Sequence, residues 1–176
     1  APLSGNAALV GLDIARQPAN LAAAHFSRDS DRLVMSAPFT LVQRAGMPGP
    51  SDGVTIRLPV FSPGPPPRDV ETRRAREIGS LAASFRVSRL IEDALPRDAR
   101  ERFALRVLDV TAPEPHPLYV DEDFGQVGAD APERFTRELS FGGRTWRLDA
   151  LARPDASSAA LLPWLTFAIG VVASLL

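Results

Sequence analysis

Two histidines, a run of acids and one arginine in mid-strand are the residues that could do chemistry in this chain. His25 falls on a helix face and His116 in "PEPHPL"; neither has a partner at metal-ligand or catalytic-triad spacing, so they read as a surface helix position and a loop position. "VDEDFGQVGADAPE" (120–133) begins with Asp121, Glu122 and Asp123. It lacks the alternating oxygen ligands and closing Glu of a calcium loop and reads as a solvated acidic loop. "GGR" at 142–144 is too short for a phosphate loop, and no GxSxG, HExxH or GxGxxG occurs. With no cysteine, disulfides, thiolate nucleophiles and sulfur-ligated metals are excluded. These residues give no support for an enzyme, a metal or a cofactor. Arg57 either faces solvent or pairs an anionic ligand group through its planar fork, and Asn20 reads as a helix-surface amide unless a pocket reaches it.

The elements that must position these residues follow from composition and pattern. The chain has 176 residues, 45% hydrophobic and 23% charged, enough to bury a core in one domain or two small ones. A formal net charge of −1 sets nucleic acid aside as a partner, since its binders carry a basic face. "QPANLAAAHFSRDSD" (17–31) predicts a short helix ending near Ser30 with Leu21, Ala24 and Phe26 as its apolar stripe. "RLVMS" and "FTLVQ" predict two short strands split at Ala37 and Pro38. "VTIRLPVF" (54–61) alternates, with Val54, Ile56, Leu58 and Val60 forming the more apolar face and the default core side. "SPGPPPRD" (62–69) is a loop, and "SLAASFRV" (80–87) is a strand of small residues that would leave room beside it.

"SRLIEDAL" (88–95) predicts a helix with a Ser cap, "RFALRVLDV" and "LYVD" two strands, and "RFTRELSFGGRTWRLDAL" (134–151) a hairpin turning at Gly142 and Gly143. Strands and helices interleave twice about the helix near residue 90, which gives an α+β chain of two small units. From Ala156 to Leu176 no residue is charged, and a bilayer core needs about 20 such residues in a helix. Residues 158–176 are therefore expected to begin a transmembrane helix cut short at Leu176, with Trp164 at the interface and Pro163 in the first turn. Residues 1–157 are then expected outside the cytoplasm, in the periplasm if the source is bacterial.

"GNAALVGLDIARQPANLAAAHFSRDSDRLVMSAPFTLVQ", "LPVF", "RR", "GSLAASFRVSRL", "LDV", "LYV", "GGRTWRL" and a span beginning "LPWL" resemble, in order and spacing, the CHASE domain. That is the extracytoplasmic sensor domain of bacterial receptors and plant cytokinin-receptor histidine kinases. The resemblance implies a stalk helix and two PAS-like α/β subdomains. It places the later part of the ligand-binding, membrane-distal one in residues 1–90, the membrane-proximal one in 91–157 and the span in 158–176, with the first span, the stalk and the earliest distal strands before Ala1. It also implies a homodimeric receptor whose catalytic output lies beyond this chain. Where the plant receptors carry Asp, Leu and Thr against the ligand, Asn20, Val42 and Arg57 stand here. The change to Arg57 turns the expected ligand from a cytokinin towards a small molecule with a carboxylate or phosphate. Thr55, beside Arg57 on the strand, and the small Ala82 and Ser84 opposite complete the expected ligand-binding set. The rival expectation is a membrane-tethered structural or protein-interaction ectodomain in which Arg57 points to water.

Overall fold

The computed structural model describes residues 9–42, 52–130 and 133–153. They form an α+β structure with two antiparallel sheets, and the chain divides into two compact units, residues 1–86 and 87–176. The expected transmembrane helix at 158–176 lies outside the described residues. Among those described, no helix is long and apolar enough to cross a membrane.

In the first unit a 3-10 turn (Ile14–Arg16) leads into α1 (Pro18–Ser30). Pro18 suits the first helical turn, where its missing N–H costs nothing. The helix ends at Asp31, whose left-handed backbone (φ 52) lets its own N–H and that of Arg32 reach the carbonyls of Arg28 and Ser27. Strands β1 (Val34–Met35) and β2 (Phe39–Thr40) both pair with one edge of β3 (Asp52–Phe61), β1 to Ile56 and Arg57 and β2 to Asp52 and Gly53. The expected split at Ala37 and Pro38 separates them. The other edge of β3 pairs along its length with β4 (Glu77–Arg86), Thr55 opposite Ser84 and Arg57 opposite Ala82, with an extra residue in β4 near Val60. Gly53 lies so close to the Phe85 carbonyl and the Leu41 side chain that a Cβ there would collide with both. Between the two long strands stands α2 (Val70–Arg76), capped by the Asp69 carboxylate on the Thr72 N–H at 2.7 Å. The sequence reading left this helix out.

Two expectations about packing are corrected here. The default core face of β3 was the apolar one; Val54 on it is buried, but Leu58 is 42% exposed, and Thr55 and Arg57 on the opposite face are buried as well. The face of α1 turned inward is likewise Asn20, Ala23, Ala24 and Ser27, at helical spacing, and Phe26 is exposed. One cause accounts for both. Small side chains let α1 approach β3 closely, and the polar groups on the two surfaces satisfy each other: the buried Ser27 hydroxyl donates to the Arg32 carbonyl at 2.7 Å and lies 3.2 Å from the Arg57 carbonyl.

The second unit begins with α3 (Val87–Ala94) and α4 (Arg97–Arg102), then builds a sheet ordered β6-β5-β8-β7 from β5 (Phe103–Asp109), β6 (His116–Val120), β7 (Arg134–Phe141) and β8 (Arg144–Ala152). Gly142 and Gly143, both at positive φ (58 and 80), make the expected tight turn between β7 and β8. One face of the sheet packs Phe103, Leu105, Ala150 and Ala152 with Leu95, Tyr119, Phe135 and Leu148. On the other, Ala104 and Leu151 meet Phe124 and Val127 of α5 (Phe124–Asp130). The acidic stretch expected as a loop is thus partly a helix, because Phe124 and Val127 reach the sheet. His116, expected in a loop, is the first residue of β6.

Candidate functional site

The site is built where α1 crosses β3 and β4 runs beside it. Arg57 is central: it is 6% exposed, and burial pulls its pKa below the ordinary guanidinium value while the more distant Glu77 carboxylate opposes the shift. Arginine stays protonated even so, which leaves a cation beneath the helix. Its Nε donates to Asn20 Oδ1 at 2.8 Å and its Nη1 to Ser80 Oγ at 2.5 Å. Both partners are neutral. Among the described residues no carboxylate oxygen lies within 4.0 Å of the guanidinium. A buried charge without a paired ion is costly to fold around, and such positions concentrate at sites that bind.

Asn20 is itself held. Its Nδ2 donates to Gln17 Oε1 at 2.8 Å, so one end of the amide faces an acceptor and the other a guanidinium donor, which fixes its orientation. Next along β3, Thr55 Oγ1 and Ser84 Oγ are 2.9 Å apart, and the Thr55 N–H donates to Ser36 Oγ at 3.0 Å. Ala82 and Ser84 on β4, opposite Arg57 and Thr55, are exposed, so the floor beside them is open where α1 does not cover it.

Of the expected ligand-binding residues, the structure gathers Asn20, Thr55, Arg57, Ala82 and Ser84 on one surface. Val42 stands apart: it is 39% exposed and follows β2, which pairs with Asp52 and Gly53 at the start of β3. Sequence reasoning missed Gln17 as the partner of Asn20, and noted Ser80 only for its size. The signal for Gln17 was its place three residues before Asn20, one helical turn away.

A ring of charge links this surface to α2. Asp29 on α1 accepts from Arg74 Nη2 at 2.5 Å and Arg28 Nε at 2.7 Å, its backbone carbonyl accepts from Arg73 at 3.0 Å, and Arg28 lies 3.6 Å from Glu77. Hydrogen bonds from Arg74 and Arg28 hold the Asp29 carboxyl well below the usual carboxylate range. Chemically the surface offers hydrogen-bond donors and one cation, a set suited to binding an acceptor-rich molecule. Among the described residues no three His, Asp or Glu side chains are grouped as metal ligands.

Among curated proteins, none matches the chain. A family model described as the CHASE domain matches residues 1–119, which takes in the whole first unit and the second as far as β6. The family is one of sensory rather than catalytic domains and forms extracytoplasmic parts of membrane receptors. With more than half of its length matched, the chain belongs to the CHASE domain family.

Proposed function

We propose that the chain is the extracytoplasmic ligand-sensing domain of a transmembrane receptor and that its ligand is a small anion held against Arg57 in the space bounded by α1, β3 and β4. The observation that carries this reading is the buried guanidinium with only neutral partners. An anionic ligand supplies the missing counter-charge, and the exposed floor of Ala82 and Ser84 gives it a way in. Thr55, Ser84 and Asn20 border that space, and Val42 is carried as a contact only through the family pattern.

On this reading residues 1–90 are the PAS-like, membrane-distal sensor, 91–157 the PAS-like, membrane-proximal part, and 158–176 the membrane-spanning helix that passes the change to a cytoplasmic output module. The full receptor is a homodimer. Signalling follows from the ligand's differential affinity for two states of the sensor.

The other reading, an ectodomain that binds a protein rather than a small ligand, draws on the exposed apolar side chains Leu58, Ile78 and Leu81. Thermal unfolding of the chain against small carboxylates, inorganic phosphate, amino acids and adenine, with Arg57→Ala in parallel, separates the two. A selective rise in melting temperature that Arg57→Ala abolishes supports the anion sensor, since a ligand that binds only the native state stabilises it. No rise with any probe turns the assignment to protein interaction.

A further inference from the structure

Resting on the sensor reading above, we propose that Asn20 is the specificity-determining residue of the site: it holds Arg57 through a neutral carbonyl and so reserves the guanidinium charge for a small monocarboxylate. The acceptor that Asn20 presents to Arg57 Nε at 2.8 Å is in the place where an aspartate would form a closed ion pair. Asparagine supplies the hydrogen bond and the orientation without the charge. The guanidinium N–H can only donate and so takes the amide oxygen, while the amide nitrogen at the other end donates to Gln17. Asn20 is therefore a positioning residue, acting through Arg57.

The remaining groups narrow the ligand class. Nε and one hydrogen of Nη1 are engaged, and among the described residues no other hydrogen-bond partner meets the guanidinium, which leaves Nη2 and the second Nη1 hydrogen as donors able to act as a fork. Ser80 accepts from Arg57, so its hydroxyl proton is free to donate beside that fork. Thr55 and Ser84 share one hydrogen bond, and the second of their two hydroxyl protons is available. The guanidinium nitrogens can only donate, and two such N–H groups side by side fit a planar carboxylate. One positive charge is on offer, with Glu77 acting on it from farther away. A single negative charge balances it, whereas a phosphate dianion would bring a second charge toward the field of Glu77.

The test uses the full chain with acetate and propionate as probes, and acetamide, inorganic phosphate and adenine as comparisons, by calorimetric titration. Asn20→Asp should bind acetate at least tenfold more weakly than the wild type while unfolding at an equal or higher temperature, because its new carboxylate neutralises Arg57 internally and Gln17 can rotate to donate. Ser80→Asp neutralises the same guanidinium from β4 and should give the same loss, so the test does not depend on one variant's folding. Acetamide should not bind, and phosphate should bind at least tenfold more weakly than acetate. If Asn20→Asp and Ser80→Asp bind acetate as the wild type does, or phosphate binds more tightly than acetate, this inference is overturned and the sensor reading stands. A wild type that binds adenine but no carboxylate also overturns it alone. A wild type that binds none of the probes overturns both.

Discussion

At the residue scale the protein spends its buried charges in two different ways. Asp109 in β5 is closed off: the Arg144 Nε donates to its Oδ2 at 2.5 Å and the Thr111 N–H to its Oδ1 at 3.0 Å. Burial pushes its pKa up, but these donors more than offset that and the net shift is downward. A carboxyl with a depressed folded-state pKa stabilises the fold above its unfolded value of about 4, and that contribution is lost as pH falls below it. Asp109→Asn should therefore flatten the loss of stability below about pH 4, read by urea unfolding at a series of pH values; an unchanged slope would place the acid sensitivity elsewhere. Arg144→Ala leaves the carboxylate buried without its cation and should cost about 3–5 kcal/mol in the same measurement. Arg57 is the opposite case, a buried cation left with neutral partners. The sequence placed Arg57 in mid-strand and left open whether it met solvent or an anion. Its burial was not legible, because that depends on which face α1 covers, and no local pattern in β3 records it.

At the scale of elements, legibility tracks the strength of the local signal. β3 and the β7–β8 hairpin were read from strict alternation and from two adjacent glycines, features that act within a few residues. α2 was missed although Asp69 is a good cap, since seven residues rich in arginine show no apolar periodicity. α5 was missed because two of its seven residues are glycine and its helical state rests on the docking of Phe124 and Val127 against the sheet. The polar inner face of α1 misled for a physical reason. Hydrophobic patterning assumes that apolar surfaces meet, whereas here Asn20 and Ser27 are bonded across the interface. Ser27→Ala, which removes the fully buried hydroxyl that donates to the Arg32 carbonyl, should cost about 1 kcal/mol by denaturant unfolding; a change below about 0.5 kcal/mol would mean the hydroxyl bonds contribute little net energy. The α1–α2 clamp makes its own forecast. The Asp29 pKa is depressed, so its contribution is present above about pH 4 and fades as pH falls from there. Asp29→Asn should lower the melting temperature more at pH 7 than at pH 2; an equal loss at both would show that packing, not charge, joins the helices.

At the scale of the whole molecule, the family supplies what the two sheets do not: the chain belongs to a group of sensory domains, and its first unit holds every member of the cluster around Arg57. The Asp109–Arg144 pair lies in the second unit. Arg144→Ala should accordingly lower stability while leaving acetate affinity within about twofold of the wild type at a temperature where both are folded. A larger loss of affinity would mean that the binding surface depends on the second sheet. The central claim is that the Arg57 guanidinium anchors the ligand, and the most direct measurement is an acetate titration followed at its Nε–H resonance in nitrogen-15 spectra of the full chain. That N–H is held by Asn20 and so reports on the guanidinium itself. The account predicts a saturable shift with acetate that acetamide, or sodium chloride at the same ionic strength, does not produce. A resonance that stays fixed while acetate saturates other signals, or that moves equally with chloride, would contradict it.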